Sequence, residues 1–155
     1  MGRSTLSDVV LNKWDRRFLL LARHISTWSK DPRTQVGAVI IRPDNTVCST
    51  GYNGFPRGMD DGPELYVDPE IKYARVVHAE MNAILTAPEP VRGFALYCTL
   101  LPCDSCAKLV IQSGIKEVIA PKPSMAHETR WDFKTTRQFF RESGVELIEC
   151  DMDLS

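Results

Sequence analysis

Two short segments hold the residue types that bind a soft divalent metal: His78-Ala79-Glu80, and further along Pro102-Cys103-Asp104-Ser105-Cys106. Cysteines at i and i+3 fall on one face of a helix, so both sulfurs can reach one point. A helix started by Pro102 puts both thiols in its first turn. Unpaired N–H groups and the helix dipole there favour thiolate over thiol, and thiolate is the form zinc binds. His78 supplies a third ligand. Two thiolates and a neutral imidazole balance Zn2+ and leave one tetrahedral position for solvent, the arrangement of a catalytic rather than a structural site. Zinc held this way can lower the pKa of water from ~15.7 to about 7. Inside a regular helix Glu80, two residues after His78, would face elsewhere. At a helix start, with the ion just off the end, the two can flank the metal, so Glu80 reads as the acid/base and not as a fourth ligand.

Each half of this pattern has an ordinary explanation when taken alone. Cys-x-x-Cys also serves thiol–disulfide exchange or half of a structural zinc site, and His-x-Glu also describes a helix start with a favoured acid. Thiol chemistry leaves His78 and Glu80 without a task, and no second cysteine pair completes a four-cysteine site. The combination points to catalytic zinc. Five cysteines, an odd and scattered set, do not resemble the disulfide framework of a secreted domain, and the expected compartment is reducing cytoplasm. A net charge of -1 gives no footprint for a polynucleotide, and no apolar run approaches the ~20 residues a membrane span needs. A small-molecule partner fits this balance.

The elements that must position these residues follow from periodicity. The 155 residues suit one domain, with residues 1–10 a loose arm. Trp14, Phe18, Leu21, Ala22, Ile25 and Trp28 recur at helical spacing, predicting a helix over Asn12–Lys30 that Asp31-Pro32 ends. Strands are predicted at Val36–Ile41 and Thr46–Gly51, joined by Pro43-Asp44-Asn45 as a hairpin. Asn53–Pro69 reads as a long ordered loop. A helix over His78–Ala87 carries Met81, Ile84 and Leu85 on one face. Phe94–Leu101 is a strand, Cys103–Ser113 a helix stopped by Gly114, and Glu117–Ala120 a strand. Trp131–Ser143 is a helix and Val145–Glu149 the last strand. Trp131, Phe139 and Phe140 suit core packing better than a subunit interface. Alternation in the second half implies parallel strands covered by helices on both faces. The class is α/β, with the opening hairpin making the sheet mixed.

His-x-Glu followed by Pro-Cys-x-x-Cys resembles the signature of zinc nucleobase deaminases. The surrounding text narrows the resemblance: Ser29-Lys30-Asp31-Pro32, Gln35-Val36-Gly37-Ala38, Gly51-Tyr52-Asn53-Gly54-Phe55-Pro56-Arg57-Gly58, His78-Ala79-Glu80-Met81-Asn82-Ala83-Ile84, and Cys106-Ala107-Lys108 through Gly114-Ile115-Lys116-Glu117-Val118 are similar to the deoxycytidylate (dCMP) deaminase family. It covers about Ser29 to Ile119. The resemblance implies the cytidine-deaminase-like three-layer α/β/α sandwich with a five-stranded mixed sheet, and deamination of dCMP to dUMP feeding dTTP synthesis. Within the class, a nucleoside, a free base or a modified cytosine nucleotide stays open as substrate. One zinc per chain is implied, because residues 53–77 lack the Cys and His of a second, structural site found in some members. Asn53 and Ala79 are implied as substrate contacts, Asn53 having the alternative of a plain turn residue before Gly54. Arg33 is the candidate for a 5′-phosphate, with a solvated surface arginine as the equal alternative and Arg57 as a further candidate. The arginine that some members carry just after the catalytic helix is missing from Pro88-Glu89-Pro90, where only Arg92 is near. Residues 120–131 also depart from the family. Its members assemble as homo-oligomers, often hexamers, and some respond to dCTP and dTTP; the loop over Gly54–Gly62 is where such an effector would act.

Overall fold

The structure, a computed structural model, describes residues 10–154. The arm expected over residues 1–10 therefore lies, Val10 apart, outside the described residues. The first helix, α1 (Lys13–Ser26), starts at Asn12, whose side chain accepts the Asp15 N–H while Asp15 accepts the Asn12 N–H. This reciprocal pairing satisfies two of the orphan donors at the helix start. The helix ends four residues before the expected Lys30. The N–H groups of Thr27, Trp28 and Ser29 turn back to carbonyls three residues earlier, tightening the chain out of the α-helix. Trp28 consequently leaves the apolar face and is exposed, while Leu19 takes a core place the periodicity had not assigned.

The hairpin forms as β1 (Gly37–Ile41) and β2 (Val47–Tyr52). The loop after β2 carries a short 3₁₀ turn at Pro63–Tyr66 and then α2 (Pro69–Arg75), a helix of seven residues capped by Asp68. Neither was expected. Next come α3 (Ala79–Thr86), β3 (Ala95–Cys98), α4 (Asp104–Ser113) and β4 (Glu117–Pro121). A second unexpected helix, α5 (Met125–Arg130), precedes α6 (Phe133–Ser143) and β5 (Glu146–Cys150). Helix α6 begins two residues later than expected because Asp132, not Trp131, caps it. Leu85 does not share the inner face of α3, being exposed; Ala79, Glu80 and Ala83 are the buried residues.

The five strands lie in the order β2-β1-β3-β4-β5. The β1 strand is antiparallel to both neighbours, and β3, β4 and β5 run parallel. Successive side chains point to opposite faces, and both faces are covered. Val39, Ile41, Tyr97 and Ile119 pack against Phe18, Leu19, Ala22 and Ile25 of α1. Ala38, Ile40, Leu96, Cys98 and Val118 face the other way, against α3, α4 and α6 through Ala83, Val110 and Phe140. This is the α/β/α arrangement with a mixed sheet.

Gly51 of β2 permits a close approach between sheet and helix. A Cβ there would stand 2.3 Å from the Ala79 carbonyl oxygen and 2.5 Å from the Ala83 nitrogen. Only glycine lets α3 press so closely on the strand. The start of α3 is held from two further sides. Val77 pairs with Gly54 through both backbone hydrogen bonds, and Asn82 Nδ2 donates to the Tyr52 carbonyl at 2.8 Å.

Candidate functional site

His78 is the N-cap of α3 and Cys103 the N-cap of α4, both with extended backbone. Neither side chain caps its own helix. Because His78 stands outside the helix proper, the rule separating i from i+2 does not apply to it and Glu80, and both reach one cavity. Cys106 sits in the first turn of α4, buried. The Pro102-Cys103 corner is fixed by Thr136 of α6, a fully buried residue whose hydroxyl donates to the Pro102 carbonyl at 2.9 Å.

These elements bring His78, Cys103 and Cys106 together, with their ligand atoms all within 4.8 Å of one another. His78 Nδ1 lies 3.2 Å from Cys106 Sγ and 3.5 Å from Cys103 Sγ. Around a tetrahedral zinc with ordinary Zn–N and Zn–S lengths, nitrogen and sulfur ligands stand about 3.6 Å apart. The three donors therefore fit one zinc ion with little adjustment. Their electrostatics point the same way. A hydrogen bond from Cys106, helped by the imidazole, pulls the Cys103 thiol down to about 4. The same bond, with burial and the Glu80 charge, pushes the Cys106 thiol up. Metal binding requires both sulfurs as thiolates, so a divalent cation would displace the remaining thiol proton. The hydrogen bond with Cys103 raises the imidazole of His78, and the Glu80 charge adds to this.

Glu80 is 4% exposed, and burial drives its carboxyl pKa upward, opposed by the His78 charge and a hydrogen bond with Cys106. It borders a cavity of about 200 Å³ together with His78, Ala79 and Cys103. A buried carboxyl with its pKa raised, beside three metal donors and a cavity, has the character of a proton carrier.

Asn53 borders the same cavity, but half of its amide is committed to backbone. Its Oδ1 accepts the Val36 N–H and its Nδ2 donates to the Thr34 carbonyl, both at 2.8 Å. One N–H and one lone pair remain for anything in the cavity. Ala79 is buried in the first turn of α3, where the backbone N–H groups have no side-chain cap. Arg33 is not brought to the site. Approaching β1, Thr34 and Val36 border the His78 cavity, whereas exposed Arg33 and Gln35 border only a neighbouring one with Lys122 and His127. Arg57 is exposed and borders neither. All five cysteines are free.

The cavity has residues that the sequence pattern did not single out. Lys72 and Tyr73 come from α2, Arg130 from the end of α5, and Trp131 from the residue after it. Trp131 had read as core, and it does touch the α6 side of the core while also facing the cavity. Lys72 Nζ is 2.7 Å from Asp31 Oδ2, with both side chains nearly inaccessible to solvent. Asp31 also accepts the N–H groups of Arg33 and Thr34. The Ser29–Asp31 segment is thereby a structural clamp on the cavity wall. A cation beside an aromatic, Arg130-Trp131, was the sole local hint of the far wall.

The family model for the cytidine and deoxycytidylate deaminase zinc-binding region matches residues 12–122. An uncharacterized deaminase from the luxG 3′ region of Aliivibrio fischeri is 39% identical over 147 residues, covering 94% of this chain and 99% of that protein. Human deoxycytidylate deaminase is 43% identical over 115 residues, 69% of this chain and 64% of that one, so the chain spans under two thirds of that relative. Among solved structures, the dCMP deaminase of cyanophage S-TIM5 in complex with dCMP and dUMP superposes with a TM-score of 0.74 at 25% identity, over 91% of this chain and 99% of that one. Among the described residues no helix is long and apolar enough to cross a membrane.

Proposed function

Since the chain belongs to the cytidine and deoxycytidylate deaminase zinc-binding family, we propose that it hydrolyses the exocyclic amine of dCMP, giving dUMP and ammonia. The observation that carries this reading is the convergence of His78, Cys103 and Cys106 within 4.8 Å, with buried Glu80 bordering the same cavity. His78 Nδ1 and the two thiolates would hold one zinc ion, which would lower the pKa of water at this site toward neutrality. Glu80 carries the protons. Its carboxylate accepts one from the attacking water, delivers it to ring N3, and afterwards helps protonate the departing amine. A carboxyl kept from solvent, with its pKa raised, can do both. The uncapped N–H of Ala79 and the spare amide hydrogen of Asn53 orient the pyrimidine nucleotide. The curated relative and the cyanophage complex, both of dCMP deaminases, support the monophosphate over a free nucleoside.

The single-domain organisation, a homo-oligomeric assembly such as a hexamer, a cytoplasmic setting and a response to dCTP or dTTP extend the same reading. Light scattering with and without each nucleotide tests assembly and effectors together. Ammonia release from cytosine, cytidine, deoxycytidine, CMP, dCMP and 5-substituted dCMP tests the substrate. Turnover greatest on dCMP is expected; preference for a base or nucleoside would overturn the assignment.

A further inference from the structure

Lys72 and Asp31 both border the cavity, and neither is a zinc donor. Lys72 Nζ stands 2.7 Å from Asp31 Oδ2, with the two side chains 8% and 0% exposed. That oxygen has no other hydrogen-bond partner among the described residues, so the ion pair alone compensates it. Burying an ion pair contributes little net stability, so stability is a weak reason for this one. What the pair joins is more telling. Helix α2, at seven residues, is too short to hold its shape in water, and Lys72 is its one buried residue. Its place on the cavity wall is therefore set by a charge and not by an apolar face.

On the other side of the pair, Asp31 Oδ1 accepts the N–H groups of Arg33 and Thr34 at 2.9 and 3.1 Å. Thr34 then offers its carbonyl to Asn53 Nδ2, and Val36 its N–H to Asn53 Oδ1. A carbonyl only accepts and an N–H only donates, so these two contacts permit one orientation of the amide. The Ser29 hydroxyl donates to the Asn53 carbonyl at 2.8 Å, and the Asn53 N–H donates to the Val36 carbonyl. From α2 itself the chain runs on to Val77, which pairs with Gly54, the residue after Asn53. We infer that Lys72 and Asp31 are positioning residues: their ion pair anchors α2 to the 29–36 segment and thereby fixes the direction in which Asn53 offers its spare N–H to the substrate.

The substrate half of this role rests on the proposed deamination of dCMP, whereas the amide's orientation can be read without turnover. The test uses wild-type, Lys72→Arg and Asp31→Asn/Lys72→Met holoenzymes, checked for zinc content. The double variant removes both charges together, so no unpaired buried charge is left, and Asn keeps an oxygen for the Arg33 and Thr34 N–H groups. With 15N-asparagine labelling, the Asn53 side-chain amide of the wild type should show one proton protected from exchange and one free. The double variant is expected to lose that protection and to raise KM for dCMP about 10-fold, the worth of one well-placed hydrogen bond, with the loss falling on KM more than on kcat. Lys72→Arg should retain most of both. An unprotected amide in the wild type would overturn the inference whether or not the variants fold. So would a double variant that loses stability but keeps the protected amide and the KM, or one whose KM rises while the amide stays protected. Protection lost with KM unchanged would uphold the link to Asn53 and overturn Asn53 as a substrate contact. A wild type with the protected amide but no turnover of any cytosine nucleotide would overturn the function reading alone.

Discussion

Helix starts in this molecule fall into two kinds. Helices α1, α2, α5 and α6 begin at Asn12, Asp68, Ser124 and Asp132, and each of these side chains accepts a hydrogen bond from its own first turn. Helices α3 and α4 begin at His78 and Cys103, and neither receives a side-chain cap. A cap contributes about 1 kcal/mol, so two helix ends forgo that stabilisation. They are the two ends that converge on the proposed zinc site. What stability leaves undone there, other contacts supply: Gly51 admits α3 against the sheet, Val77 pairs with Gly54, and Thr136 grips the Pro102 carbonyl. The difference teaches that side chains at these two ends serve the cluster they face rather than the helix behind them.

Converting one kind of start into the other should have the largest consequence. Cys103→Ser installs a good cap where a ligand stood. Compared with metal-stripped wild type, the variant is expected to be equally stable or up to about 1 kcal/mol more stable in urea. Its zinc content by atomic absorption should nonetheless fall from about one per chain to near zero, and turnover with it. A variant that kept its zinc and its rate would break the comparison.

Glu80→Gln separates the ion from the proton carrier. Zinc should stay bound while kcat for dCMP drops ~10²- to 10⁴-fold, the usual worth of a positioned acid/base. A loss of zinc instead would make Glu80 a ligand. Thr136→Val leaves the Pro102 carbonyl without its buried donor. A stability loss of about 1–3 kcal/mol and easier removal of zinc by a chelator are expected. Stability loss with unchanged chelator sensitivity would mean that Thr136 holds α6 and not the ligand corner. The smallest effect belongs to an ordinary start. Asn12→Ala should cost about 1 kcal/mol in denaturant unfolding, with zinc stoichiometry and kcat as in wild type. Any loss of metal there would show that capped and uncapped ends are coupled.

Some of the site was legible in residue spacing and some was not. His78, Glu80, Cys103 and Cys106 could be read because each helix start carries its own local signals, and Cys-x-x-Cys is a constraint within one turn. Helices α2 and α5 passed unnoticed because seven and six residues are too few to display a period. Trp28 and Leu85 fitted an apolar face in sequence yet ended exposed, since the helix turned early in one case and rotated Ala83 inward in the other. Arg33, by its place before β1 either a phosphate contact or a solvated surface arginine, stands outside the cavity; Arg130, 97 positions further on, borders it.

The sequence by itself determined the alternation of helices and strands, the donor set for zinc and the acid beside it, because these rest on interactions between residues close along the chain. Only the tertiary structure decided which cation faces the cavity, which is cancelled by Asp31, and how much of Asn53 is committed to backbone. Those outcomes depend on segments around positions 31–36, 53, 72 and 130 packing onto one wall, and burial, charge pairing and hydrogen bonding between distant segments leave no period or spacing in the chain.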